Sequence, residues 1–198
     1  MIKEYNESGI KKVNNNFWKV IILSIMAGMF IALAGAVSVY ASYNIGLPSV
    51  AKLVMGLLFP VGLILVILMK TELFTGNMLL TIPLINKKIK LKGMLNNWLW
   101  VYIGNLIGSL LVALAVYYAG SVDMNVDLFN KFASIAAAKT NLTFINAIIL
   151  GIFCNILVCI AVYLAFINKN TIEKIFCIFF PIMFFIILGF EHSVANMF

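Results

Sequence analysis

The sequence is poor in charged residues and contains no arginine. Charged residues make up 11% of its 198 residues, whereas soluble domains carry about a quarter. The net charge of +7 comes from lysines alone, and most of them lie in loops between apolar runs. Lysines in such loops are typical orientation signals of membrane proteins. We therefore expect no nucleic-acid partner.

Cysteine and histidine are also scarce. The three cysteines, Cys154, Cys159 and Cys177, all lie inside apolar segments and show no Cys-x-x-Cys spacing. Cysteines of this kind behave as small hydrophobic residues, so the pattern predicts neither a disulfide nor a metal site. The single histidine, His192, has no cluster of metal-ligating residues around it in the sequence. We therefore expect no metal and no cofactor.

Long apolar runs make up most of the chain. Apolar residues account for 64% of it, and several runs reach the roughly 20 residues that cross a bilayer. The chain is therefore predicted to be an all-α integral membrane protein in a lipid bilayer. The predicted spans are 18–42, 49–70, 94–118, 142–167 and 175–189, and the longest polar loop is predicted at 119–140.

Residues 1–17 differ from the rest, because they are polar and have the partial helical spacing of a short amphipathic surface helix. We therefore divide the chain into an N-terminal segment, 1–17, and a transmembrane domain, 18–198. Most lysines lie in the N-terminal segment, the 86–93 loop and the 168–174 turn. By the positive-inside rule, these parts are predicted to be cytoplasmic in a multi-pass protein of the cell's inner membrane.

Two polar interruptions break the apolar pattern, at 72–77 and 189–198. They share a skeleton in which a glutamate is followed five residues later by an asparagine, Glu72 with Asn77 and Glu191 with Asn196. The apolar segment 78–85 after the first interruption is too short to span a membrane by itself. It is therefore predicted to be the second half of a broken helix. A second broken helix is predicted at Gly189.

An internal repeat connects these interruptions. Residues 28–30 (Gly-Met-Phe) recur as 151–153 (Gly-Ile-Phe), and the Val-Tyr pair at 39–40 recurs at 162–163. Each unit, about 18–118 and about 142–198, holds a continuous helix followed by a broken one. The two units start on opposite sides of the membrane, so they are inverted. Inverted repeats with broken helices place substrate sites near the bilayer midplane.

The second unit has no counterpart of the helix predicted at 94–118. We therefore expect the natural protein to continue beyond Phe198 by about forty residues or more, enough for a second half-helix and a sixth span.

The interruptions carry groups that suit an anion. Half-helix N-termini bear partial positive charge, and His192 and the Thr75 hydroxyl can both donate hydrogen bonds. Ionisable residues at membrane depth are costly and usually mark a pathway or a site. Glu72 and Glu191 are expected to brace the breaks by accepting backbone hydrogen bonds. The sequence leaves open whether His192 only donates a hydrogen bond or also passes on a proton.

With these features, the chain resembles the formate/nitrite transporters, a family that includes hydrosulfide channels. The resemblance is carried by segments 72–77, 151–159 and 189–198. It implies a homopentamer of aquaporin-like, six-helix protomers with broken second and fifth helices. Each protomer would contain its own pore for small monovalent anions such as formate, nitrite or hydrosulfide.

The resemblance also implies roles for single residues. Thr75 would face His192 at the centre of the pathway, and Lys139 and Asn155 would lie in a vestibule. Apolar constrictions would lie on either side of the centre, built from Phe59, Leu63, Leu73, Phe74, Val158 and Phe185. The absence of a sixth helix from the chain departs from the family pattern.

Other classes fit the sequence less well. Aquaporin pores depend on two Asn-Pro-Ala-like caps and an arginine, and this chain has no arginine and no such caps. Ammonia channels typically pair two pore histidines, and this chain has one histidine. A membrane enzyme could use His192 and Glu191 as acid and base, but no nucleophile or metal-ligand set accompanies them. We therefore predict a channel or transporter and no enzyme.

Overall fold

The computed structural model describes residues 2–119 and 125–198, and within these ranges it contains helices and no β-strand. The helices are α1 (Ile2–Val13), α2 (Phe17–Ser42), α3 (Pro48–Leu58), α4 (Pro60–Leu68), α5 (Phe74–Asn77), α6 (Thr81–Ile85), α7 (Leu91–Tyr118), α8 (Val126–Thr140), α9 (Phe144–Ile167) and α10 (Thr171–Leu188), with 3-10 turns at Met78–Leu80 and Ala195–Met197. Among the described residues, five helical segments are long and apolar enough to cross a membrane, counting α3 and α4 as one. The architecture agrees with the all-α membrane protein predicted from the sequence.

Helix α1 forms where the sequence predicts an amphipathic surface helix, but its buried side faces the protein. The ring of Tyr5 packs edge-on against Phe166 of α9, with 4.8 Å between the ring centroids. Gly9 lies so close to Pro83 of α6 that a larger side chain would collide with the proline ring. Helix α1 therefore covers the end of the bundle at which α6 ends and α7 begins, which we call the α1 end.

Helix α8 was not predicted, because the sequence indicated a polar loop over 119–140. Residues 120–124 of that loop lie outside the described residues, and Val126–Thr140 is helical. The Asn125 side chain caps the helix by accepting a hydrogen bond from the Leu128 N–H at 3.0 Å. Leu128 then packs against Val39 of α2. The sequence indicated a loop because the charged residues Asp127, Lys131 and Lys139 interrupt this segment. We call the side of the bundle on which α8 lies the α8 end.

Helix α10 also begins earlier than predicted, at Thr171 instead of residue 175. The Asn170 side chain accepts a hydrogen bond from the Ile172 N–H at 2.8 Å and caps the first turn. Asparagine is among the strongest N-cap residues, so this start follows from the local sequence.

Helices α2 and α7 pack closely along small residues. Gly28 of α2 faces the backbone of Asn105, and Gly104 of α7 faces Ser24. A Cβ atom on either glycine would collide with the opposite helix. This close approach brings the side chains of α7 within reach of the α2 backbone, and with it of the first helix break.

The two breaks begin with the same backbone motif. Lys70 and Gly189 both take left-handed backbone angles, with φ of 53° and 72°. The next residue in each break donates its N–H to a carbonyl five residues earlier, Thr71 to Val66 and Phe190 to Phe185. This pattern is a Schellman-type helix end. In each unit the left-handed residue lies two positions before the glutamate of the shared skeleton, in agreement with the predicted repeat.

Candidate functional site

The two helix breaks meet at the centre of the bundle. Thr75 from the first break and His192 from the second are 5% and 4% exposed. The Thr75 Oγ1 atom lies 2.9 Å from His192 Nε2, a hydrogen-bond distance. Two residues that are 117 positions apart in the chain thus form the only direct side-chain hydrogen bond between the breaks in the described part of the chain. The sequence predicted this pairing through the family resemblance.

The second ring nitrogen of His192 fixes which tautomer is present. The backbone N–H of Ala195 lies 3.0 Å from His192 Nδ1 and points at it. A backbone N–H can only donate, so Nδ1 must accept and carries no proton. The neutral ring therefore has its single N–H on Nε2, which donates to Thr75 Oγ1. The geometry holds His192 as a hydrogen-bond donor directed at the first break.

Apolar side chains surround this polar centre. Phe185 stacks on the His192 ring with a centroid distance of 5.7 Å and an interplanar angle of 15°. Phe59 meets Phe185 edge-on at 5.7 Å. All the residues predicted to form constrictions belong to one core cluster or pack against it: Phe59, Leu63, Leu73, Val158 and Phe185 are buried, and Phe74 is half-buried at its edge.

A charged triad lies on the α1 side of the centre. Lys12 Nζ donates to Glu72 Oε2 at 2.7 Å and to Asn77 Oδ1 at 2.9 Å. Asn77 Nδ2 donates to the same Glu72 oxygen at 2.7 Å. Helix α1 is thus joined to the first break by an ion pair whose carboxylate is 5% exposed.

A second triad lies on the α8 side. Lys139 Nζ donates to Glu191 Oε2 at 2.7 Å, and Asn196 Nδ2 donates to the same oxygen at 2.7 Å. This pair is more open, with side-chain exposures of 35% for Lys139 and 14% for Glu191. The two triads place one lysine beyond each break, on opposite sides of the Thr75–His192 contact.

The bracing role predicted for the carboxylates is corrected in one respect. Glu72 and Glu191 were expected to accept backbone hydrogen bonds, but their described partners are side chains of lysine and asparagine. A lysine provides a full positive charge, so it compensates a buried carboxylate better than a peptide N–H does. Two backbone groups of the first break, the Glu72 carbonyl and the Phe74 N–H, bond instead to the side chain of Asn105 of α7, which was not predicted from the sequence.

Lys12 was also missed, although the sequence contains a signal for it. Lys12 stands five residues before Phe17, the first residue of α2, and Lys139 stands five residues before Phe144, the first residue of α9. The internal repeat therefore extends to the lysine that precedes each continuous helix. Applied to Lys139, this spacing would have identified Lys12 as its counterpart.

Asn155 lies on α9 and is half-buried. Its Nδ2 atom is 3.6 Å from Cys159 Sγ, and its buried Oδ1 atom has no hydrogen-bond partner. Cys159 Sγ in turn lies 3.9 Å from the carbonyl oxygen of Thr75. Asn155 is therefore connected to the first break only through Cys159, and its described hydrogen bonds do not join it to Lys139.

The chain is similar in sequence to known membrane transport proteins. The family model described as formate/nitrite transporter matches residues 1–198. The formate channel BtFdhC of Bacillus thuringiensis is 39% identical over 97% of this chain and 75% of its own length. The formate channel FocA of Escherichia coli strain K12 is 36% identical over 100% of this chain and 70% of its own length.

Solved structures are similar as well. An FNT family ion channel superposes with a TM-score of 0.91 at 34% identity, covering 99% of this chain and 79% of the other. A pentameric formate channel with formate bound gives a TM-score of 0.82 at 33% identity, covering 92% of this chain and 72% of the other. The predicted all-α fold, with broken second and fifth helices, is thereby confirmed. The chain belongs to the formate/nitrite transporter family, whose members are multi-pass membrane proteins.

Proposed function

We propose that this protein conducts small monovalent anions of weak acids, such as formate, nitrite or hydrosulfide, through a pathway inside each protomer. The observation that carries the proposal is the hydrogen bond between Thr75 and His192 at the meeting point of the two breaks. Formate enters the proposal because the relatives named above are formate channels. An aquaporin-type pore for neutral solutes is not favoured by these similarities.

The pathway would alternate between charged, apolar and polar zones. Lys139 at the α8 end and Lys12 at the α1 end neutralise Glu191 and Glu72, so that an entering anion meets no net negative charge from these carboxylates at either mouth. The apolar residues of the two constrictions strip water from the anion, which costs free energy. An entering anion takes the place of Thr75 Oγ1 as acceptor of the His192 Nε2–H and also accepts from the Thr75 hydroxyl, and these two hydrogen bonds offset part of the cost. Asn155 and Cys159 border the same pathway on α9.

The sidedness and assembly follow as parts of the same proposal. Exposed lysines are concentrated at the α1 end, namely Lys87, Lys88, Lys90 and Lys92. By the positive-inside rule, they support a cytoplasmic position for this end in the inner membrane. The structural similarity to a pentameric formate channel supports a homopentamer. No catalytic activity is proposed.

Purified protein in liposomes tests the function. Wild-type protein is expected to carry formate, nitrite or hydrosulfide much faster than protein-free liposomes do, with little increase in water permeability. Flux of all three anions would be compared under the same gradients to identify the preferred one. A large water permeability without anion flux would contradict the proposal.

Thr75→Val is expected to reduce anion flux by about tenfold, because it keeps the side-chain shape and removes one hydrogen bond to the anion; we expect the lower end of about 1.5–3 kcal/mol because His192 still donates. Thr71→Val is the matched control. Thr71 is equally buried, but its hydroxyl donates to the Val66 carbonyl within the helix end. Flux that is unchanged in Thr75→Val, or equally reduced in both variants, would remove Thr75 from the pathway.

Lys139→Gln is expected to reduce flux, most strongly at low ionic strength. The change leaves the Glu191 carboxylate unpaired at the mouth, so an entering anion meets negative charge instead of a neutral pair. Salt screens such effects over about 10 Å at 0.1 M. Lys131→Gln removes the same charge two turns earlier on α8 and should have a smaller effect. A loss that does not vary with salt would indicate a structural role for Lys139.

A further inference from the structure

Asn105 is a fully buried polar residue of α7, and its side chain bonds only to backbone atoms. Its Nδ2 atom donates to the carbonyl of Glu72 at 2.9 Å and to the carbonyl of Ser24 at 2.7 Å. Its Oδ1 atom accepts from the Phe74 N–H at 2.9 Å. Both N–H donors of the amide are therefore used. Asn105 joins three elements: α7, α2 and the first break.

These contacts bracket Leu73. Asn105 holds the peptide carbonyl on its N-terminal side, from Glu72, and the peptide N–H on its C-terminal side, from Phe74. The carbonyl of Leu73 itself accepts from the Asn77 N–H at 2.9 Å. Thr75 follows Phe74 directly in the chain. The Asn105 amide therefore holds both peptide groups that flank Leu73, two residues before Thr75.

We propose that Asn105 is a positioning residue that sets the size selectivity of the pathway, by holding Leu73 and Thr75 in place across the helix break. This inference rests on the proposed function, since it assumes that Leu73 narrows the anion pathway. Asn105 itself lies behind the break, and no contact between it and a permeating anion is implied.

The physical reason is the backbone of the break. Helix interruption frees peptide groups that have no water to bond inside a membrane, and each unsatisfied group costs several kcal/mol. Without Asn105, the Glu72 carbonyl and the Phe74 N–H must find water, and the nearest source is the pathway. The segment would then move toward the pathway water, and Leu73 would no longer be held in one position. A larger anion would pass more easily relative to formate.

Ser109 provides a matched control on the same helix. It is also fully buried, lies four residues after Asn105, and donates to the Gly28 carbonyl of α2 at 3.3 Å. Its described hydrogen bonds do not reach the break. Ser109→Ala therefore disturbs the contact between α2 and α7 without releasing the break.

The experiment compares formate and acetate flux in liposomes for wild type, Asn105→Leu and Ser109→Ala. Leucine has nearly the shape of asparagine and removes all three hydrogen bonds. We expect Asn105→Leu to lower the formate-to-acetate flux ratio by about tenfold, which corresponds to a barrier difference of about 1.4 kcal/mol. Ser109→Ala should keep the wild-type ratio. If Asn105→Leu does not assemble, Asn105→Asp replaces it, because it keeps the acceptor for the Phe74 N–H and loses the donors.

A second comparison separates positioning from general loosening of the protein. If Asn105 acts through Leu73, then adding its substitution to Leu73→Ala should not lower the ratio further. A wild-type ratio in the Asn105 variants, an equal fall in Ser109→Ala, or full additivity with Leu73→Ala would each overturn the inference. Failure of the proposed function is distinguishable, because wild-type protein would then carry no formate at all.

Discussion

His192→Asn is expected to reduce formate flux about ten- to a hundredfold at every pH, in a protein that still folds and assembles. The asparagine Oδ1 atom takes the place of His192 Nδ1 and can accept the Ala195 N–H that now bonds the ring. The shorter side chain no longer reaches the Thr75 hydroxyl. The variant therefore keeps the local brace of the break and loses the donor in the pathway. A hydrogen bond to a charged group is worth about 1.5–3 kcal/mol, which gives the expected size of the loss.

The shape of the pH profile separates two mechanisms that the sequence left open. A neutral ring with its only proton on Nε2 has no second proton to pass on, so the geometry favours donation of a hydrogen bond over transfer of a proton. Any pH dependence of flux then comes from protonation of the weak acid outside the centre, and the variant should keep it. A flat profile in His192→Asn would show that the ring itself carries the proton. Flux equal to wild type at every pH would make His192 a packing residue.

Glu72→Gln is expected to lower the free energy of unfolding by about 3 kcal/mol. Removing one partner of a buried ion pair costs about 3–5 kcal/mol, and we expect the lower end because Lys12 is 27% exposed and can turn partly to water. The change would also release α1 from the first break. The loss of stability is measured as a lower unfolding temperature in detergent at a fixed heating rate. Tryptophan fluorescence is the signal, because Trp98 Nε1 donates to the Asn77 carbonyl at 2.8 Å.

The second triad supplies the control for Glu72→Gln. Glu191→Gln removes the same charge from a pair that is more exposed, so it should lower the unfolding temperature less. The double variant Lys12→Gln with Glu72→Gln removes both charges and should recover much of the loss. Unfolding of Glu72→Gln at the wild-type temperature, or a double variant as unstable as the two single losses combined, would show that this pair does not hold the break.

Much of the fold could be predicted because local patterns determine it. Apolar runs of membrane length gave the spans, and the repeated Glu-x4-Asn skeleton gave both breaks. The meeting of Thr75 with His192 needed the family resemblance, since no local pattern joins residues 117 positions apart. Helix α8 was missed because the charged residues of 119–140 indicated a polar loop, although the Asn125 cap and the alanines of the segment favour a helix.

The partners of the breaks could be predicted least. Lys12 acts through an ion pair across 60 positions, and only its spacing from α2, which matches that of Lys139 from α9, marks it. Asn105 carries no such signal, because all its partners are backbone atoms whose places depend on the packing of α2 against α7. A buried asparagine in a membrane helix shows that a polar partner exists, but the sequence does not show which one.

The most direct test of the central claim uses the fact that the chain contains a single histidine. Protein labelled with 15N-histidine and purified without a histidine tag gives imidazole signals from His192 alone. At neutral pH we expect the spectrum of a neutral ring with its proton on Nε2, because Nδ1 accepts the Ala195 N–H. Formate should shift the Nε2 signal and leave Nδ1 nearly unchanged. A proton on Nδ1 would contradict the donor geometry of His192, and a spectrum that saturating formate does not change would contradict an anion pathway through the contact of His192 with Thr75.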